Sequence, residues 1–158
     1  MNISTRWIRE WANPDVSDNE LSEKLTMAGL EVDRIAPVAP PFNGLVVGHV
    51  VNCEKHPNAD KLSLCEVDIG AESNLQIICG APNVRKDLKV AVATVGSVLP
   101  NGLKIKRAKL RGVESNGMLC SESEIGISDS HEGIIELDLA AALGEDIRSV
   151  LDLSLIHI

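Results

Sequence analysis

From residue 42 onward the chain breaks into short apolar, β-branched runs divided by Gly, Pro and Asn. The runs are 45–53, 62–69, 75–79, 89–95 and 103–110, with a brief buried piece at 118–120. Runs this short, with turn residues at each break, predict a small barrel or sandwich, since neither long helices nor parallel crossovers fit the spacing. About five principal strands in roughly 100 residues suit a Greek-key barrel of the OB type. Gly48 inside the first run predicts a bulge or a close approach of another strand. Pro100-Asn101-Gly102 predicts a tight turn before the last long run.

The first 38 residues read differently. Trp7, Ile8 and Trp11 share one helical face behind Ser4 as N-cap, and Pro14 stops the pattern. Ser17-Asp18-Asn19-Glu20 has capping-box spacing, Leu21, Leu25 and Ala28 continue at helical intervals, and Gly29 suits the C′ position. A short strand is expected over 30–35. Ala36-Pro37-Val38-Ala39-Pro40-Pro41 then reads as a linker, because proline removes donors and favours extended chain. Two small helices and one strand cannot bury both tryptophans alone, so this piece is expected to pack on something else. The expected organisation is a small α+β extension over 1–38 and a mainly β OB-fold domain over 39–148. Residues 149–158 read as the cut-short start of a following region or an appended tail, since 154–158 end apolar without a cap.

Net charge is −8, which taken as an average argues against a polyanionic partner. The distribution reverses that argument. Residues 1–36 and 37–84 each sum to −3, and 112–158 to −9, whereas 85–111 carry eight Lys or Arg against one Asp, giving +7. Local patches steer polyanions more than totals do.

Three polar, turn-rich segments stand at the edges of the apolar runs. They are His56-Pro57-Asn58-Ala59-Asp60-Lys61-Leu62, Ile78-Cys79-Gly80-Ala81-Pro82-Asn83-Val84 and Ser115-Asn116-Gly117-Met118-Leu119-Cys120-Ser121. Loops of this kind present polar groups from a rigid scaffold. Lys61 ends the first as a mobile donor. Asn83 offers donor and acceptor to a base edge or ribose hydroxyl, or else caps its own turn. The candidate RNA contacts are Lys61, Asn83, Arg85, Lys86, Lys104, Lys106, Arg107, Lys109, Arg111, Ser115, Asn116 and Ser121. The alternating run 103–110 is expected to set its lysines on one strand face.

The region beyond 42 has no Tyr or Trp, so bases have no aromatic platform on which to stack. Recognition is therefore expected through shape, phosphate and 2′-hydroxyl, with affinity dominated by counterion release. No Walker loop, G-x-G-x-x-G or nucleophile constellation occurs, so no catalytic residue is assigned. Glu122, Glu124, Asp129, Glu132, Glu136 and Asp138 read as a solvated acidic face. Cys53, Cys65, Cys79 and Cys120 form no C-x-x-C pair, and 53, 65 and 79 read as small buried hydrophobes. His49, Cys53 and His56 could suggest a metal, but 56 faces away from the other two on a strand, so no metal is expected. No stretch approaches the ~18 apolar residues of a membrane span, and the N-terminus lacks a signal-peptide pattern. A cytoplasmic protein without a membrane partner is expected.

The three motifs, in this order and with the basic stretch between the second and third, resemble the tRNA-binding module appended to several aminoacyl-tRNA synthetases, over about residues 39–148. Ser4-x-x-Trp7-Ile8-x-x-Trp11 and Leu21-x-x-x-Leu25-Thr26-x-x-Gly29-Leu30-Glu31-Val32-Asp33 resemble the start of bacterial phenylalanyl-tRNA synthetase beta subunits. The resemblance implies an accessory tRNA-binding domain. Its partners would be tRNA, the alpha subunit and the remainder of the beta subunit in an α2β2 enzyme. ATP and Mg2+ belong to that parent enzyme, with no cofactor in this stretch. The alternatives are a packing module of the tetramer that touches no RNA, and an autonomous tRNA-binding chaperone.

Overall fold

The structure is a computed structural model that describes residues 2–37, 42–129, 131–151 and 154–157. It divides into two compact units, residues 1–39 with 151–158, and residues 40–150.

In the first unit, β1 (Asn2–Ser4) leads into α1 (Thr5–Trp11), followed by α2 (Asp18–Met27) and β2 (Arg34–Pro37). Ser4 sits at the N-cap of α1 but makes no side-chain cap bond. Ser17 and Glu20 form the expected capping box on α2. The helix ends in a Schellman motif: Gly29 N–H donates to Thr26 O, Leu30 N–H donates to Leu25 O, and Gly29 takes φ 94°. Arg9 fixes the turn between the helices, donating to Pro14 O, Val16 O and the Asp18 carboxylate. The strand expected over 30–35 begins only at Arg34, because Val32 N–H is taken by the Thr26 hydroxyl. Residues 36 and 37 of the expected linker lie in β2, and 38–41 fall outside the described residues. A further strand, Ser154–His157, lies between β1 and β2 and pairs antiparallel with both. Trp7 and Trp11 remain 57% and 82% exposed among the described residues.

The second unit is the barrel. Its strands are β3 (Asn43–Lys55), β4 (Ser63–Asp68), β5 (Leu75–Cys79), β6 (Lys89–Val98), the short hairpin β7 (Ala108–Leu110) and β8 (Val113–Ser115), β9 (Gly117–Leu119) and β10 (Glu136–Leu137). A short helix α3 (Ile147–Leu151) follows, capped where Arg148 N–H donates to Asp146 Oδ1. The main sheet runs β10-β6-β3-β4-β5, and β9 pairs with β6. Asn116 N–H donates to Gln76 O, and Ile78 N–H donates to the Ser115 hydroxyl, which stitches the β8–β9 segment to β5. The sheet thereby returns almost onto itself, in the strand order of a five-stranded OB barrel.

Val50, Cys65, Val67, Ile77, Val90 and Val92 fill the interior, each fully shielded from solvent. Gly48 is there because strands close in on it: a Cβ would lie 2.5 Å from Val92 Cγ2 and 2.8 Å from Val67 Cγ1. Cys65, Cys79 and Cys120 are buried as expected, while Cys53 is half-buried. Burial pushes the Cys79 thiol up, and it pushes Cys120 up to about 12 with help from the Glu124 charge.

Candidate nucleic-acid interface

The long loop between β6 and β9 carries the basic residues, but it is not the continuous strand that its alternation suggested. Ile105 is buried, its N–H donating to Ser97 O and its carbonyl accepting from Gly96 N–H. That anchor pins 97–105 as a tight excursion around the Pro100-Asn101-Gly102 turn, and regular pairing resumes only at Ala108. Lys104 and Lys106 are exposed on either side of Ile105. The β7–β8 hairpin turns through Arg111 and Gly112, with φ 50° and 92°, as a two-residue hairpin loop requires. Lys109 lies opposite Glu114 across it.

The first motif is tied to this hairpin. His56 is 4% exposed, and its Nδ1 accepts from the Asn58 N–H at 3.0 Å. The ring proton therefore sits on Nε2 and is donated to Leu110 O at 3.1 Å. Asn58 Nδ2 donates to Arg111 O at 3.1 Å. Leu62 packs beside Gly80, so the first motif also borders the second.

The second and third motifs share a groove of about 680 Å3. Cys79, Gly80, Ala81 and Pro82 form one side, and Ser115, Gly117, Met118 and Ser121 another. Lys104 and Lys106 line it as well, together with Glu124, His131 and Ile134. In OB barrels ligands sit on this face, between the loop after the first strand and the loop before the last. Here those loops are 56–62 and 99–116, and only the second supplies residues to the groove.

Several candidate polar groups hold the scaffold. Ser115 is 3% exposed, and its hydroxyl accepts from Ile78 N–H and donates to Gly117 O. The Asn83 side chain receives Ile134 N–H and donates to Ile134 O and Glu136, tethering 134–136 to the second motif. Arg85 makes a two-pronged ion pair with Glu136, both N–O distances being 2.9 Å. That pairing holds the Glu136 carboxyl below its ordinary value, with the Asn83 amide adding to the effect. Ser121 and Glu124 form a capping-box arrangement: Ser121 N–H and Oγ both donate to Glu124 Oε2, at 2.6 and 2.9 Å. Lys61, Lys86, Lys104, Lys106, Arg107, Lys109 and Arg111 are exposed, and the Asn116 side chain is half-buried. Among these cations, Lys104 and Lys106 are the ones that line the groove.

Sequence reasoning missed the 131–134 wall of the groove and the hold of Ser121 on Glu124, while Glu136 is exposed as a solvated face expects but is paired with Arg85. The Ser121-x-x-Glu124 spacing was the available signal for Glu124. Nothing local marks His131, whose Nδ1 lies 3.0 Å from the Ser123 hydroxyl.

Residues 45–146 match the family described as "Putative tRNA binding domain". The chain belongs to that family. Over 153 residues it is also 61% identical to the phenylalanine–tRNA ligase beta subunit of Dickeya dadantii, and 59% to that of Yersinia pestis. Each alignment covers 97% of this chain and 19% of the relative, so the chain spans about a fifth of their length. Among solved structures it is similar to a MetRS related protein from Pyrococcus horikoshii, with TM-score 0.47 and 23% identity over 63% of this chain and 84% of that one.

Proposed function

We propose that this chain is the tRNA-binding portion of a phenylalanine–tRNA ligase beta subunit, holding tRNA without performing chemistry on it. The single observation that carries the reading is the groove flanked by Lys104 and Lys106, bordered by two of the three motifs and lined by the loop before the last strand, one of the two loops that hold ligands in OB barrels. The cations Lys61, Lys86, Lys104, Lys106, Arg107, Lys109 and Arg111 supply phosphate contacts, which position a nucleic acid without reading its sequence. Ser115, Asn83 and Ser121 serve by shaping the loops, since their polar atoms are already engaged. Arg85 contributes through its pairing with Glu136, and Asn116 lies between Ser115 and Gly117, which line the groove.

On this reading the partners are tRNA, the alpha subunit and the remainder of the beta subunit, in the cytosol. Among the described residues no three His, Cys, Asp or Glu side chains converge as a metal site, and no helix is long and apolar enough to cross a membrane. ATP and magnesium are assigned to the parent enzyme, and no residue of this chain is assigned to hold them. A packing role in the synthetase has one observation in its favour, the exposed Trp7 and Trp11.

The triple change Lys104→Glu, Lys106→Glu and Lys109→Glu separates the two readings. Loss of tRNA binding with retained folding supports the RNA interface. Unchanged binding removes it.

A further inference from the structure

The groove has walls of opposite sign. Lys104 and Lys106 stand on the basic loop, while Glu124 lines the same groove with Ser121 and His131. A surface that merely tracks phosphates gains nothing from a carboxylate in its path, because like charges repel there. A carboxylate at an RNA groove is favourable only against hydrogen-bond donors, since it can do nothing but accept.

The Glu124 carboxylate is held rather than free to swing away. Its Oε2 receives the Ser121 N–H and hydroxyl, and its own N–H is 3.4 Å from Ser121 Oγ. Its Oε1 has no hydrogen bond among the described residues. Close by, Ser123 Oγ meets His131 Nδ1 at 3.0 Å, which places an imidazole at the same rim. Ile78, Pro82, Met118 and Ile134 give the groove an apolar lining that suits the faces of a base. Its volume of about 680 Å3 lies within the range of small-ligand pockets, about 300–1,000 Å3.

Among RNA bases only guanine presents two adjacent N–H donors, N1–H and the 2-amino group, on its Watson–Crick edge. Adenine and cytosine set one amino group beside a bare acceptor nitrogen, and uracil sets one N–H between two carbonyls. We propose that the groove seats one unstacked guanosine of an RNA, its base edge on the Glu124 carboxylate and its phosphates toward Lys104 and Lys106. The proposal rests on the tRNA-binding reading above and adds base selectivity to what the lysines supply without selectivity. Charge-assisted bonds from a fixed carboxylate are roughly twice as strong as neutral ones, which makes Glu124 the residue that discriminates.

The test uses the whole chain and hexamers of uridine whose third residue is G, inosine, A, C or U, followed by amide chemical shifts so that weak binding is read. The G hexamer should bind about tenfold tighter than the U hexamer, the scale of one good two-bond base contact. Inosine lacks the 2-amino donor and should fall between them. Glu124→Gln should bring all five within about twofold of one another, because the fixed charged acceptor is lost. Inosine against the unaltered protein keeps the test decisive if that variant folds poorly. Five equal affinities, with total tRNA still bound in a salt-dependent way, overturn the guanosine site alone. No binding of any hexamer or of total tRNA overturns the tRNA reading beneath it.

Discussion

His56 Nε2 donates to the carbonyl oxygen of Leu110, 54 positions along the chain, at 3.1 Å. This bond, with Asn58 to Arg111 beside it, ties the loop after the barrel's first strand to the hairpin that precedes its last. The basic loop therefore does not depend on its own scant pairing for its position. Replacing His56 by Ala leaves the Leu110 carbonyl and the Asn58 N–H without their partner. The expected cost is about 0.5–1.5 kcal/mol for each lost bond, since Asn58 and Leu110 are exposed and water can replace the missing partner. A urea midpoint unchanged from the parent chain would show that the tie is incidental.

Gly117 takes φ 154°, and a Cβ there would lie 2.9 Å from Ala93 O and 3.2 Å from Ile77 Cδ1. Strand β9 can approach β6 only because that side chain is missing. Gly117→Ala should lower stability by on the order of 2 kcal/mol and loosen the barrel at that seam. Amide exchange at Leu119 checks this, since faster exchange is expected there before it is seen in β4.

The Glu136 carboxyl is held below the ordinary 4.5 by its bonds to Arg85 and then Asn83. A carboxylate whose value falls on folding contributes stability above its unfolded value and loses it as pH drops through the folded one. The tether of 134–136 should therefore weaken only on acidification below about pH 4.5. A carbonyl-detected NMR titration should show Glu136 titrating below 4.5 and moving up toward it in Arg85→Ala. An unmoved midpoint would mean that the ion pair is not formed in solution.

Much of this molecule was legible from residue order because its strands are short and bounded by strong turn residues. The run at 75–79 coincides with β5, and Ser17 with Glu20 makes the capping box that the spacing indicated. The three motifs also led to the family that residues 45–146 match. What failed was the continuous strand read from 103–110. Ile105 is buried between exposed Lys104 and Lys106 as the alternation expects, but its backbone bonds to Gly96 and Ser97 and regular pairing resumes only at Ala108, which depends on a partner segment that no local period reveals. The partners of Glu124, Glu136 and Asn83 were not read from the sequence for a related reason. Each is defined by a partner, and for Asn83 and Glu136 that partner lies about fifty residues away, beyond the reach of any motif.

The most direct test of the central claim is binding of total tRNA to the purified chain across a salt series. With about three to five phosphates neutralised, log affinity should fall against log salt with a slope of roughly −3 to −4, and Lys104→Ala with Lys106→Ala should make it shallower by about two. Absence of binding at low salt, or a slope near zero, would contradict an electrostatic RNA interface on this face.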